Sequence, residues 1–220
     1  MEVDYGSGMQ SADLNAGLSA KLDQLARTPT IDRSTAVSAV LATGPDLLTR
    51  IGNQSNLILD PDLDSYYTMS LMVLRYPELL EIIDNIGRPV ATPATSTLEV
   101  SEARTRYLIL EGKLDATMQG IASDYSEAVA ASSKGLKTSL NPTRQRLEAS
   151  AERFRKEART AIIASATPQG VATVQQASNI LLGDLQASWV LAAIEKRRIL
   201  GLGRAAIAQS SAPRLPERTC

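Results

Sequence analysis

Leucines at 14, 18, 22 and 25 step by three or four residues, an apolar stripe that predicts a helix over about 9–27, ending before Pro29. Val37, Leu41, Leu48, Ile51 and Ile58 repeat the pattern over 32–58, where Gly44-Pro45 should bend the chain. A third helix is expected from the aspartate cluster that follows Asn56 to Ile86, kinked at Pro77 and stopped by Gly87 and Arg88-Pro89. After a loop over 87–96, Ala103, Tyr107, Leu110, Leu114, Met118, Ile121, Tyr125 and Ala128 form a nearly heptad seam in a long helix, 97–139. Asn141-Pro142 then reads as N-cap and first residue of a fifth helix, 142–166, with Leu147, Ala151, Phe154, Ala158 and Ala161 on its apolar face. Thr167-Pro168-Gln169-Gly170 separates it from a last helix, 171–205.

No stretch alternates apolar and polar residues with the period of two that a strand requires. The expectation is therefore an all-α, elongated bundle of about six helices, built as one module or as two four-helix bundles stacked end to end. A helix of about 40 residues reaches roughly 60 Å at about 1.5 Å per residue, which sets the elongation. Residues 1–8 and the tail 206–220 are expected to lie outside the folded part.

Composition narrows the chemistry. Hydrophobic residues make up 44% of the 220 positions, enough for a core, while aromatics make up only 4%, which suits helices better than sheets. With 23 basic and 24 acidic residues the net charge is −1, so the basic footprint of a nucleic-acid binder is missing. Histidine is absent and Cys220 is the only cysteine, which excludes triads using histidine and metal sites built on His or Cys. No metal or other cofactor is expected. No run of about 18 apolar residues is found, so no membrane span is expected in the chain, and its N-terminus lacks the pattern of a signal peptide.

The stretch NLILDPDLDSYYTM (56–69) concentrates three aspartates and two tyrosines. Asp60-Pro61 fits an N-cap followed by a first-turn proline, with Asp62 and Asp64 favoured near the positive end of the helix. A calcium loop would place glycine and glutamate where Ser65 and Leu71 stand, and paired glycosidase carboxylates sit across a cleft rather than in one run. Tyr66 and Tyr67 lie about 100° apart on a helix, so one packs inward and the other is left for a pocket or an interface. Arg75 has two readings, a surface cation or an inward guanidinium that holds a ligand carboxylate or a motif aspartate. Arg104, Arg106 and Tyr107 invite the same question, and Asn53 and Asn56 suit capping. Trp189 reads as a core or interface anchor, and Lys196, Arg197 and Arg198 as a charged helix end or a collar near a membrane.

The run GNQSNLILDPDLDSYYTMSLMVLRYPELLE (52–81) resembles a motif in the helical extracytoplasmic regions of bacterial transmembrane receptors: chemoreceptors, sensor histidine kinases and diguanylate cyclases. LNPTR (140–144) and LLGDLQASWVLAAIEKRRILGL (181–202) echo the same proteins in the same order. Ser70 departs from the pattern, which often has aspartate there, and Asn53 stands where it often has an acid. The resemblance implies a periplasmic signal-input domain, anchored through flanking spans absent from this chain. Its partners would be a small-molecule ligand or a periplasmic binding protein, and a homodimer is compatible with it. The ligand-binding candidates are Asn56, Asp60, Asp64, Tyr66, Tyr67 and Arg75, with no catalytic residue. The rival expectation is a non-sensory helical scaffold. An enzyme ranks last.

Overall fold

The computed structural model describes residues 8–29, 33–54, 62–91, 96–132, 135–163 and 167–210, and among them every regular element is helical. In chain order these are α1 (Ala12–Arg27), α2 (Arg33–Gln54), α3 (Leu63–Ala91), α4 (Thr97–Ala131), α5 (Leu136–Ile163) and α6 (Pro168–Ser210). The all-α bundle expected from the periodicity is the observed architecture. Helices α3 to α6 make a four-helix bundle in which α3 packs on α4 and α6, and α5 packs between those two on the opposite side. A hairpin of α1 and α2 lies outside it and meets the bundle through α3.

The core belongs to the bundle. Leu71, Tyr76, Leu79, Ile83, Leu114, Ile121, Leu136, Leu140, Leu147, Phe154 and Leu181 are all buried there. The seam expected on α4 is mostly inside, with Tyr107, Leu114, Ile121, Tyr125 and Ala128 buried and Leu110 and Met118 packed against them. All five apolar positions expected on α5, from Leu147 to Ala161, are buried. By contrast α1 buries no residue and α2 only Gly52, so the leucine stripe of α1 serves the hairpin rather than the core.

Helix α3 is not a simple α-helix. Leu63–Ser70 and Tyr76–Ala91 are α-helical, and Leu71–Arg75 between them forms a π-helical turn. Its signature is the Tyr76 N–H, which donates to the Leu71 carbonyl five residues back. Pro77 follows immediately. A proline has no N–H to give and its ring crowds the carbonyl four residues before it, so a widened turn ahead of it relieves both problems. The expected kink thus takes the form of a π-bulge. The turn also broadens the inward face, since Thr68, Met69, Ser70 and Leu71 are buried in succession.

Several expected boundaries move. The N-cap of α3 is Asp62, with extended backbone, two residues later than Asp60, so Leu63 is its first helical residue. Helix α3 continues through Gly87, Arg88 and Pro89 to Ala91, because Ile86 and Val90 both belong to the core seam and Arg88 pairs with Asp84 one turn earlier at 3.0 Å. The break expected at Asn141-Pro142 falls instead before Leu136, at Gly135, whose φ of +139° is one that side-chain-bearing residues rarely adopt. Buried Leu136, Leu140 and Thr143 hold α5 in one piece through Pro142. Helix α2 runs through Pro45, as the periodicity over 32–58 predicts. The start of α4 is sealed by a capping box, in which Ser96 Oγ accepts from the Glu99 N–H and Glu99 Oε2 from the Ser96 N–H.

By length and composition α6 is the one described helix that meets the requirement for a membrane span, over Pro168–Leu200, where the sequence suggested none. Its Val174, Ala177, Leu181, Leu185 and Ala192 are nevertheless part of the bundle core.

Candidate functional site

The motif's described residues open α3, and their polar groups turn inward to two other helices. On the α4 side the acceptor is Asp124, a buried carboxylate one helical position before the core residue Tyr125. Its Oδ2 accepts from Ser70 Oγ at 2.7 Å and from Arg75 Nε at 3.0 Å. Arg75 therefore points inward, but its partner comes from α4 and not from the motif aspartates. The guanidinium fits because Gly120 leaves room. A Cβ at that position would come within 2.7 Å of the Arg75 guanidinium carbon.

On the α6 side the partner is Lys196. It is only 5% exposed, and its Nζ donates to the Ser65 carbonyl oxygen at 3.0 Å and to the Ser65 hydroxyl. The adjacent Glu195 is buried as well and faces the other neighbour, accepting from Ser139 Oγ of α5 at 2.6 Å and from Arg198 Nε at 2.7 Å. Consecutive residues on a helix point about 100° apart, so this charged pair grips α3 with one side chain and α5 with the other. The charged-collar reading of 196–198 is corrected for Lys196, which is not a solvated helix end.

Next in sequence to Arg75 and to Asp124 stands a tyrosine pair. Tyr76 and Tyr125 share a hydroxyl–hydroxyl hydrogen bond of 2.8 Å, and the Trp189 ring of α6 lies 5.7 Å from that of Tyr76. Burial pushes both hydroxyls above the ordinary tyrosine range, the neighbouring phenol adding to the effect at Tyr76. Ser188 Oγ lies close to the Tyr125 hydroxyl, buried and without a hydrogen bond of good geometry. Trp189 is thus the core anchor that one reading expected.

The remaining candidates are more local. Asp64 Oδ1 accepts from the next residue's N–H at 2.7 Å, a helix-start contact. Tyr66 and Tyr67 contact each other edge to face at 5.2 Å, both half-buried, with Tyr67 packed on the core. Asn56 and Asp60 lie outside the described residues. Arg104 donates to the Ile163 carbonyl at the end of α5, and Arg106 is exposed. Tyr107 is buried and donates to Glu111 and to the Arg155 carbonyl, while Arg159 binds the same Glu111 at 2.7 Å. These contacts tie α4 to α5.

Of the described candidates, Arg75 reaches across to α4, while Asp64, Tyr66 and Tyr67 contact immediate neighbours within α3. Arg75 and the buried Ser65 and Ser70 make the start of α3 a polar joint between α4 and α6. Of the two groups that complete it, Asp124 is not among the residues singled out from the sequence, and Lys196 is read there only as part of a charged helix end or collar. Both lie next to apolar seams, Asp124 seven residues after buried Thr117 and Lys196 four after buried Ala192, and that spacing is the signal that points to them. Among the described residues no cluster of acids suits a metal ion. No family model, curated protein or solved structure matches the chain.

Proposed function

We propose that this chain is the periplasmic ligand-binding and signal-input region of a membrane-anchored bacterial receptor, in which a ligand or partner protein shifts helices relative to one another. The observation that carries the reading is the buried contact between Lys196 of α6 and Ser65 in the first turn of α3. It lies inside the run that resembles receptor sensor regions, and it joins that run to the helix that in such receptors leads toward the membrane. A buried contact of this kind is costly to break, so a displacement of α3 either moves α6 with it or gives the contact up. Discrete, costly alternatives of this kind are what a two-state switch needs.

The test is a thermal-shift screen of the chain against amino acids, organic acids, purines, polyamines, nitrate and divalent ions, followed by hydrogen exchange on any compound that binds. A ligand at a hundredfold excess over its dissociation constant stabilises the native state by about 2.7 kcal/mol. Binding should change amide exchange both in the first turn of α3 and around Lys196 of α6. In Lys196→Met, with helicity retained, the ligand should still bind while the response in α6 disappears. Binding that leaves α6 unchanged in the unsubstituted chain would overturn signal input and favour a scaffold.

A further inference from the structure

Away from the polar joint, a cavity of about 290 Å³ opens where α2, α3 and the start of α6 meet. Its walls are apolar, formed by Leu41 of α2, Leu80 and Ile83 of α3, and Val174 and Leu182 of α6. Gly87 contributes floor without a side chain, and a Cβ built there would meet no atom within 4 Å. One turn of α3 gives the cavity an acid and a base side by side: Asp84, whose side chain is 20% exposed, and Arg88, whose side chain is 48% exposed, linked at 3.0 Å. Across from them α6 offers the amide of Gln175 and the hydroxyl of Ser178.

We infer that this cavity is the ligand site, and that it takes a small zwitterion with an apolar body, an α-amino acid with a branched aliphatic or aromatic side chain. The inference rests on the receptor reading above and names its site. Charge and shape both support it. An α-amino acid carries its ammonium and carboxylate on one carbon, and the adjacent Asp84 and Arg88 are complementary to that pair. Its side chain enters the apolar part beyond them, displacing weakly held water from a small, mostly preformed space. Burial pushes the Asp84 carboxyl above the usual range despite Arg88, so a second cation beside it is favoured. The location also suits a sensor, because the cavity is walled by three helices, one of them outside the main bundle. A ligand there draws α2 against α3 and α6 and competes only with a partly exposed ion pair, whereas a ligand at the polar joint would have to break contacts of the buried Asp124 and Lys196.

Calorimetric titration of the chain with L-leucine and L-phenylalanine tests this, with isovalerate and isopentylamine as probes that each lack one charge. Binding of the amino acids is expected, at least tenfold tighter than either probe. The largest methyl shifts should fall at Leu41, Leu80, Ile83, Val174 and Leu182, which line the cavity. Gly87→Leu fills the space and should weaken binding at least tenfold with unchanged helicity, and Asp84→Asn or Arg88→Ala, both at the rim, should do the same. Failure of both amino acids to bind overturns the assignment. So does binding that survives Gly87→Leu, or shifts clustered at Tyr66 and Tyr67, and in those two cases ligand sensing itself still stands.

Discussion

Asp124 serves two donors from α3 with a single carboxylate oxygen, and Gly120, one turn earlier on α4, leaves the room that lets the longer donor reach it. Gly120→Ala pushes a methyl into the Arg75 guanidinium, whose atoms lie 2.7 to 2.9 Å from the position of that Cβ. The arginine side chain can swing out, so the expected cost is the lost pairing with Asp124 rather than a collapsed helix, and the gain in helix propensity partly offsets it. In a double-mutant cycle measured by urea denaturation, Gly120→Ala and Arg75→Ala should be non-additive, with a coupling of about 0.5–3 kcal/mol. Additive effects would show that Arg75 does not depend on Gly120. Ser70 matters at the same carboxylate. A second aspartate there would face Asp124 at hydrogen-bonding distance, which accounts physically for a hydroxyl standing at this position of the motif. Burial of the tyrosines gives a second test at this scale. Tyr76, Tyr107 and Tyr125 are all held above the ordinary range, chiefly by desolvation. A raised folded value means that their contribution to stability is complete below the unfolded value, about pH 10, and is lost as pH rises above it. Absorbance titration should therefore find these three hydroxyls silent until the chain unfolds in alkali, with Tyr→Phe at each position removing amplitude only from the unfolding step. Reversible native ionisation at Tyr76 would contradict its place in the core.

Helix identity was legible in the sequence and helix ends were not. The apolar seams of α4 and α5 stand where the periodicity put them, since burial is what the pattern records. Proline and glycine misled at Gly87, Pro89 and Pro142, each of which lies inside a helix. Local chemistry disfavours a helix at these points, but a proline in a helix costs about 3 kcal/mol, and burial of Ile86 and Val90 around Pro89 and of Leu140 and Leu147 around Pro142 outweighs it. The real break between α4 and α5 is carried by a backbone angle, which composition does not display. The two sites can be separated by experiment. Gly135→Ala imposes a side chain on a φ of +139° and should cost about 1–3 kcal/mol in chemical denaturation. Asn141→Ala, at the position the sequence offered as N-cap, should cost about 0.5 kcal/mol or less, because Asn141 is well inside α5 and its side chain only receives long contacts of 3.4 Å from Arg144. The reverse order of costs would restore the break at Pro142. The π-turn in α3 shows the same limit. Its trace in the sequence is only a proline preceded by an unusually long apolar run, and a straight helix with a kink satisfies that equally well.

At the scale of the molecule the chain divides its work between a bundle that holds the core and a hairpin that closes the cavity. Among the described residues, every member of the buried apolar cluster lies between Leu71 and Ala192, and none comes from α1 or α2. A fragment covering 62–210 should therefore fold by itself, with full helicity for its length and a cooperative unfolding transition. Losing the hairpin removes the half-buried Val37 and Leu41 from the surfaces of α3 and α6, and an expected loss of about 1–3 kcal/mol follows from the apolar area uncovered. A fragment that binds a hydrophobic dye and melts without a transition would show instead that the hairpin is integral to the core. The distinction reaches function. A hairpin that can leave without unfolding the bundle can also move against it, and the energy of such a motion is set by the contacts across one small cavity. A ligand in that cavity would shift the hairpin only by as much as it binds one position more tightly than another. The joint of Ser65, Asp124 and Lys196 sits on the same helix, α3, and fixes it to α4 and α6. Full-length chain and fragment should accordingly differ in ligand binding but not in the protection of amides around Lys196. Loss of that protection in the fragment would mean that the hairpin also holds the joint closed.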